Sequence, residues 1–379
     1  MSGQGLTRNR ACANRHDAHL RGAAKVAESR AARQMQEAFA RCPIAEQDFV
    51  NHDSALAGKA PSSISFDMRL FSTILLISAA VTATALAQGV TSPFTVAESG
   101  RSYATLGEAI RAIGDGRGTV LVAPGSYAQC AVQQGGDVTI RAQKPGTAIL
   151  DGVACEEKAA LVLRGRSSSI DGLIFQNLRV PDGNGAGIRL ESGDLTVTNS
   201  LFRNSEEGIL TGDAPGNAIS IDRSTFRHLG RCDRDLACAH GIYAGRYGSL
   251  SVTRSRFDQG DGGHYLKTRT PRVTITDNSF DDSGGRLTNY MIDLSNGASG
   301  TISGNEMVQG RDKDNYSAFI TVAPEGREQD STNLSIANNS ASFVPGLQRS
   351  SSFVANFTDD AVKIGPNRLA SGIKVTDRR

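Results

Sequence analysis

Apolar and polar residues alternate in short runs that recur along the chain at intervals near 25 residues. Six runs end in a large apolar residue at the same position: Phe175, Phe202, Phe226, Phe257, Phe280 and Met307. Successive spacings are 27, 24, 31, 23 and 27 residues, and the longest contains the segment CDRDLAC at 232–238. Alternation with a period of two predicts half-buried strands. The variable spacing predicts that insertions lie in the loops between them.

A second series of short strands is predicted between the first. Its members are GIRLE (187–191), GILTG (208–212), GIYAG (241–245), YLKTR (265–269), MIDLS (291–295) and FITVA (319–323). Gly, Asn, Asp and Ser occupy the intervening turns, and no long helical pattern interrupts the series. A repeat of this length with two short strands predicts an all-β solenoid, a single-stranded parallel β-helix whose coils stack on one another.

Two further patterns fit a stack of coils. The segment SYATLGEAIRAIGDG (102–116) predicts an amphipathic helix with Leu106, Ala109, Ile110 and Ile113 on one face. Such a helix would cap the open end of the solenoid, where an uncovered edge promotes aggregation. Three asparagines recur near the turns and predict side-chain amide ladders between coils. They are Asn199, Asn278 and Asn305.

The N-terminal quarter of the chain carries a different pattern. Residues 68–87, MRLFSTILLISAAVTATALA, have a positive start, an apolar stretch and a small-residue end, which predicts a secretory signal peptide cleaved after Ala87. An uncleaved membrane anchor is the alternative, although the Ser/Thr/Ala-rich second half disfavours it. Residues 1–67 are interpreted as an upstream extension, either disordered or non-native because of a start site assigned too early. We therefore expect a β-helix domain over 88–379 that is periplasmic or secreted, without stable membrane insertion.

Charge and cysteine content narrow the field of partners. Removing residues 1–67 and Arg69 leaves 31 basic and 32 acidic residues in the exported part, a balance that does not favour nucleic-acid binding. Four cysteines remain there, an even number typical of an oxidising compartment. Cys232 and Cys238 bracket a short loop, whereas Cys130 and Cys155, 25 residues apart, fall on adjacent coils and are close enough to pair. Metal binding is the alternative, but no CxxC motif supports it.

The run FTVAESGRSYATLGEAIRAIGDGRGTVLVAPGSYAQCAV (94–132) resembles the opening of right-handed β-helix proteins of the pectate-lyase superfamily. Those proteins begin with a helical cap, a first strand and a Pro-Gly-x-Tyr turn. The resemblance, with the coils that follow, spans about residues 94–360 and implies a right-handed β-helix. It leaves the activity open, because the superfamily contains lyases, epimerases, esterases, glycosidases and non-catalytic binders.

Outward positions of the second strand series are expected to line one long groove. They are Arg189, Leu210, Tyr243, Lys267, Asp293 and Thr321, followed two residues later by Glu191, Gly212, Gly245, Arg269, Ser295 and Ala323. His240 and His264 are 24 residues apart at equivalent positions, so we expect them to stack about 5 Å apart. A repeating fold produces such echoes without any function, and this alternative stays open. The pairing of Lys267 with Arg269 on one outward strand favours function more strongly.

These side chains suit chemistry on a uronic-acid polysaccharide. Its carboxylate lies beside a weakly acidic C5 proton, so a cation that neutralises the carboxylate helps a positioned base to remove that proton. Protonation of the leaving O4 then gives β-elimination, whereas a proton returned to the other face of C5 gives epimerisation. The catalytic candidates are Lys267, His264, Arg269, Tyr243 and His240, and the substrate-binding candidates are Arg189, Asp293, Tyr265 and Glu191.

The segment GHYLKTRTPRVTITDNSF (263–280) resembles the chondroitinase-B and alginate lyase family, in which a groove Lys followed by an Asn-x-Phe strand acts as base. The resemblance implies that Lys267 is the base, on a groove strand that contributes little to the core. The chain departs from the family in two places. Ile292-Asp293-Leu294-Ser295 replaces a motif with Arg, and Gly260-Asp261-Gly262-Gly263 lacks acidic Ca²⁺ ligands. Arg269 or His264 would then neutralise the carboxylate, and Ca²⁺ stays an open alternative without identified ligands.

Two other functions remain alternatives. Asp293 with Asp258 or Asp261 would form a carboxylate pair for glycoside hydrolysis. A non-catalytic module that holds an acidic polysaccharide at the cell surface would need only the cations. The pattern makes no prediction of the oligomeric state.

Overall fold

Three parallel sheets run along a right-handed solenoid in the computed structural model, which describes residues 92–379. The all-β β-helix predicted from the repeat is confirmed. The expected upstream extension (1–67) and signal peptide (68–87) lie outside the described residues. Within 92–379 no helix has the length and apolar character needed to span a membrane.

Each coil contributes one strand to each sheet. Sheet A consists of β1 (Phe94–Val96), β2 (Arg101–Tyr103), β3 (Arg117–Val122), β6 (Asp137–Ala142), β9 (Ser167–Asp171), β12 (Asp194–Thr198), β15 (Ala214–Asp222), β18 (Tyr247–Thr253), β21 (Arg272–Thr276), β24 (Ser299–Ser303), β27 (Leu334–Ala337) and β30 (Lys363–Ile364). Sheet B consists of β4 (Gly125–Tyr127), β7 (Ala148–Asp151), β10 (Leu173–Gln176), β13 (Leu201–Arg203), β16 (Thr225–Arg227), β19 (Arg256–Asp258), β22 (Ser279–Asp281), β25 (Glu306–Gln309), β28 (Ser340–Phe343) and β31 (Arg368–Leu369). Sheet C consists of β5 (Ala131–Gln133), β8 (Ala159–Leu163), β11 (Ala186–Leu190), β14 (Glu207–Thr211), β17 (Ile242–Ala244), β20 (Leu266–Thr268), β23 (Ile292–Leu294), β26 (Ala318–Val322), β29 (Ser351–Asn356) and β32 (Ile373–Arg378).

The first strand series of the sequence is split between two sheets, so a coil has three strands rather than the expected two. A sharp bend separates the sheet A strand from the sheet B strand, and one residue at the bend takes a positive φ. Gly172 (φ 74°) and Gly304 (φ 69°) do so without steric cost. Asn199, Arg223 and Arg254 do so at φ 48–50°, where the two arginines carry no signal for a turn. The bend was therefore hidden from pattern reading.

The predicted phenylalanine column is confirmed as the centre of the core. Phe175 pairs in register with Phe202, Phe202 with Phe226, and the pairing continues through Phe257 and Phe280 to Met307. Adjacent phenylalanine rings are stacked with centroids 4.7–4.9 Å apart. All of these side chains are fully buried. The repeat spacing in the sequence thus reports the stacking of coils directly.

A polar ladder runs beside the phenylalanine column. Its rungs are Ser200, Ser224, Ser255, Asn278, Asn305, Asn339 and Asn367, and each side chain accepts a hydrogen bond from the backbone N–H of the preceding rung. The amide ladder predicted for Asn278 and Asn305 is confirmed by the 2.9 Å bond between their side chains. The prediction for Asn199 was wrong, because Asn199 occupies the bend and donates to Asp171 Oδ1 instead.

The N-terminal end carries the expected helical cap, helix α1 (Leu106–Ile113). Thr105 and Glu108 form a capping box at its start. Leu106, Ala109 and Ile110 are buried against the first coil, and Ile113 is half-buried beside them. Strand β1 pairs antiparallel with β2 and with β3, so the edge of sheet A is folded back on itself.

Both predicted disulfides are present. Cys130 and Cys155 join neighbouring coils with their Cα atoms 5.4 Å apart. Cys232 and Cys238 close the insertion that lengthens one coil, with a Cα separation of 4.4 Å.

Candidate functional site

The outward residues of sheet C form the column that the sequence predicts. Backbone pairing aligns Arg189, Leu210, Tyr243, Lys267, Asp293 and Thr321 on successive coils. The column is not an open groove throughout, however, since Lys267, Asp293 and Thr321 are buried. They are covered by residues 323–331, named here the acidic loop, which follow strand β26.

Lys267 lies between two carboxylates rather than in solvent. Its Nζ is 3.5 Å from Asp293 Oδ2 and also forms an ion pair with Glu325 of the acidic loop. It lies 5.5 Å from the centroid of the Tyr243 ring, in cation–π range. The expectation that Lys267 contributes little to the fold was wrong, because its side chain is 9% exposed and is the cationic partner of the buried Asp293.

Arg269 uses all parts of its guanidinium group at the edge of the same cluster. Its Nε donates to Tyr243 Oη at 2.8 Å, one terminal nitrogen donates to Asn296 Oδ1 at 2.5 Å, and the other pairs with Glu325. Burial would raise the pKa of Glu325, but the ion pairs with Lys267 and Arg269 together outweigh burial and lower it. Lys267 and Arg269 thus converge on one ionised carboxylate.

The two histidines stack as predicted, with ring centroids 5.0 Å apart. His240 Nδ1 accepts the backbone N–H of His264, and His264 Nδ1 accepts the backbone N–H of Tyr290, on the next coil. Each Nδ1 is therefore unprotonated, which leaves the ring proton on Nε2. The histidines continue the ladder principle along the start of the sheet C strands, below the Tyr243 and Lys267 column.

Burial keeps both imidazoles neutral. Desolvation lowers the pKa of His240 well below its usual value, and it lowers the pKa of His264 to about 4 despite the opposing charge of Asp293. His264 Nε2 lies 3.5 Å from Asp293 Oδ2. Because the lone pair of each ring is already taken by a backbone N–H, His240 and His264 are arranged as hydrogen-bond donors rather than as bases.

Asp293 is a buried anchor and not half of a carboxylate pair for hydrolysis. It is 1% exposed and accepts hydrogen bonds from Ser295 Oγ at 3.0 Å and Thr321 Oγ1 at 2.9 Å. Asp258 belongs to sheet B, where it pairs with arginines, and Asp261 pairs with Arg286. The three carboxylates therefore serve separate networks, and this geometry does not favour the hydrolase alternative.

Tyr265 lies inside the solenoid, contrary to its expected place in the groove. Its side chain is 4% exposed, and its hydroxyl donates to Asp282 Oδ1 at 2.7 Å. Asp282 in turn forms a buried ion pair with Lys313 at 3.2 Å. The alternation that places Lys267 outward fails at Tyr265 because the strand starts at Leu266, so Tyr265 belongs to the preceding turn.

Arg189 and Glu191 lie on the same face but three coils before Lys267. Glu191 is held by Lys158 Nζ at 2.7 Å and by Arg164 Nε at 2.5 Å, and Arg189 lies 3.8 Å from it. Two coils lie between this ion-pair group and Lys267, so the structure does not bring these two substrate-binding candidates into the Lys267 cluster.

Three contributors to the site were missed from the sequence. Glu325 and Asn296 complete the environment of Arg269, and Glu207 accepts the backbone N–H of His240. Burial raises the pKa of Glu207 well above its usual value. The acidic segment PEGREQD (324–330) was the available signal for Glu325, but its partners lie more than 50 residues earlier. Among residues 92–379, no three His, Cys, Asp or Glu side chains converge on a point suited to a metal ion.

Comparisons with known proteins bear on the fold alone. A family model described as a right-handed beta helix region matches residues 159–341. Among solved structures, the chain is similar to "Geobacillus virus E2 - ORF18", with 12% identity and a TM-score of 0.44 over 73% of this chain and 57% of that chain. The chain thus spans little more than half of that viral protein. No curated protein matched.

The resemblance to the pectate-lyase superfamily and to the chondroitinase-B and alginate lyase family stays a prediction, because neither comparison extends to them. The coil register, the three sheets and the family model agree on the architecture. This chain is a right-handed parallel β-helix protein.

Proposed function

We propose that the protein binds an acidic, uronate-containing polysaccharide on the outer face of sheet C and abstracts the C5 proton there, as a lyase or C5-epimerase. One observation carries the proposal: Lys267 and Arg269 converge on a single carboxylate beside the hydroxyl of Tyr243. A uronate carboxylate in the place of the Glu325 carboxylate would meet the same two cations. Neutralising that carboxylate stabilises the enolate-like transition state of C5-proton removal.

Tyr243 is the better candidate for proton transfer than Lys267. Lys267 is occupied as a cation by Asp293 and Glu325, whereas a base must be unprotonated. Tyr243 is half-buried, and its oxygen accepts from Arg269 Nε, so the guanidinium stabilises the phenolate that forms when the proton leaves. We therefore assign carboxylate neutralisation to Lys267 and Arg269, and proton transfer to Tyr243.

The elimination balances with these groups alone. The C5–H bond breaks and its proton passes to the phenolate oxygen of Tyr243, while the electron pair forms the C4=C5 bond. The C4–O4 bond then breaks, and the departing O4 takes a proton from the phenol. Epimerisation keeps the C4–O4 bond and instead returns a proton to the opposite face of C5.

A test follows the unsaturated product by its ultraviolet absorbance with alginate, pectate and glycosaminoglycans, and follows C5 exchange in D2O by NMR. Tyr243→Phe keeps the ring but removes the hydroxyl, so we expect activity to fall by about 100-fold or more. Tyr316→Phe is the matched control, because Tyr316 is 49% exposed and contacts Arg349 away from the site. Undiminished activity in Tyr243→Phe would show that proton transfer does not use this residue.

A binding-only function is the second candidate, and the burial of Lys267 favours it. An acidic glycan held by exposed cations at the cell surface needs no group that handles a proton. Binding of uronate oligomers without product and without C5 exchange would select this candidate and reject the lyase and epimerase.

We infer an exported location for either function. The two disulfides support it, because such bonds persist mainly in oxidising compartments. Detection of the protein in periplasmic or culture fractions, with a mature N-terminus after Ala87, would test this inference.

A further inference from the structure

The acidic loop runs along the solenoid axis instead of turning directly into the next coil. Its backbone is held on the coil below by hydrogen bonds from Glu325 N to Ser295 O and from Glu328 N to Asn296 O, both 3.0 Å long. Asn296 Nδ2 donates to Gly326 O at 3.1 Å. These contacts lay the segment across the outer ends of the sheet C strands.

Two carboxylates of the loop meet cations from two earlier coils. Glu325 pairs with Lys267 and Arg269, and Glu328 receives two hydrogen bonds from Arg246, at 3.0 and 2.8 Å. The Glu325 and Glu328 side chains are 38% and 41% exposed, so each ion pair is open to solvent on one side. The loop therefore presents a small polyanion to a row of cations.

The spacing of these cations follows from the fold. Strand pairing places Ala244 beside Thr268, so Arg246 and Arg269 come from adjacent coils at the same end of sheet C. Adjacent coils are about 4.8 Å apart, roughly the length of one sugar residue. A chain of uronates with a carboxylate on every residue presents negative charge at a similar interval.

We propose that the acidic loop is an internal occupant of the polysaccharide site, and that a polyuronate running along the solenoid axis displaces it. Carboxylates of neighbouring sugars would replace Glu325 on Lys267 and Arg269, and Glu328 on Arg246. The inference rests on the proposed function, because it needs an acidic glycan as ligand. It adds the direction of the chain and a requirement for carboxylates on consecutive residues.

The exchange is energetically reasonable because the displaced ion pairs are partly solvated. Exposed pairs contribute little to stability, and a loop released into water recovers hydration of both carboxylates. Lys267 and Arg269 do not lose a carboxylate partner, since the ligand supplies one. The Asp293 carboxylate stays on Lys267 throughout and holds it in place.

The test measures binding of trigalacturonate, trimannuronate, the two monomers and a neutral trisaccharide to the full chain by calorimetry. We expect Glu325→Gln/Glu328→Gln to bind a uronate trimer about three- to tenfold more tightly than the wild type, because no internal carboxylate competes. Glu306→Gln, at an exposed position of sheet B, is the matched control and should bind as the wild type does. Monomers should gain less than trimers.

Equal or weaker trimer binding by the double variant overturns the inference while the proposed function stands. No uronate binding by any protein overturns both. Tighter binding without product or C5 exchange supports the inference and rejects the catalytic function.

A second measurement needs no substitution and so avoids any folding defect. Hydrogen exchange at the amides of Glu325, Glu328 and Gln329 should accelerate when the trimer binds, because their bonds to Ser295 O and Asn296 O are broken. Slower exchange would mean that the loop closes over the ligand, which overturns displacement.

Discussion

Replacement of Lys267 should destabilise the fold as well as impair the site. Its ammonium is the cation nearest to Asp293, which is 1% exposed, with 3.5 Å between Nζ and Oδ2. Removing one partner of a buried ion pair costs about 3–5 kcal/mol. The hydroxyls of Ser295 and Thr321 still donate to Asp293 and Glu325 regains water, so we expect the lower end, about 3 kcal/mol, for Lys267→Met.

The assay is thermal unfolding followed by circular dichroism, with hydrogen exchange of the β23 amides as a local probe. At about 2–4 °C per kcal/mol, Lys267→Met should lower Tm by roughly 6 °C or more. Lys267→Met/Asp293→Asn should recover most of this loss, because no unpaired charge stays buried. Lys158→Met is the control, since Lys158 also pairs with two carboxylates but is 39% exposed. A Lys267→Met variant within about 0.5 kcal/mol of the wild type would refute the reasoning.

Three further outcomes are expected from unfolding measurements. Asn305→Ala should cost about 2–4 kcal/mol because the buried N–H of Asn278 loses its acceptor, whereas Asn333→Ala, at an exposed position, should stay within about 0.5 kcal/mol; equal effects would contradict the ladder. Phe226→Ala should cost about 3–5 kcal/mol by opening a cavity between two stacked rings, and a cost below about 1 kcal/mol would contradict close stacking. The pKa of His264 is about 4 when folded and near 6.5 when unfolded, so the unfolded chain binds the proton first as pH falls. Stability should therefore drop by about 2 kcal/mol between pH 7 and pH 5, and His264→Gln should lose this part of the pH dependence, measured as Tm at both pH values.

Sequence reading recovered the features that repeat at every coil. The Phe175 to Met307 column, the stacking of His240 on His264 and the pairing of Tyr243 with Lys267 all follow from spacing, because stacked coils place equivalent positions side by side. The helical cap followed from its apolar face. Each of these features is local, or is repeated at a constant interval along the chain.

The features that failed are those that occur once. The bend that splits the first strand series is made by Arg223 and Arg254 at positive φ, residues with no turn preference to read. Glu325 reaches Lys267 across 58 residues through a loop that departs from the repeat. The same loop covers Lys267 and Asp293, so alternation assigned the correct side of the strand and the wrong exposure.

The link between Arg246 and Glu328 spans 82 residues, farther than any contact between adjacent coils. In a solenoid each coil otherwise touches only its neighbours, so tension applied at the two ends would peel coils away one at a time. The acidic loop ties coils that the repeat alone would let separate independently. A glycan that displaces it would remove this tie, and the mechanical resistance of the protein would then report whether the polysaccharide is bound.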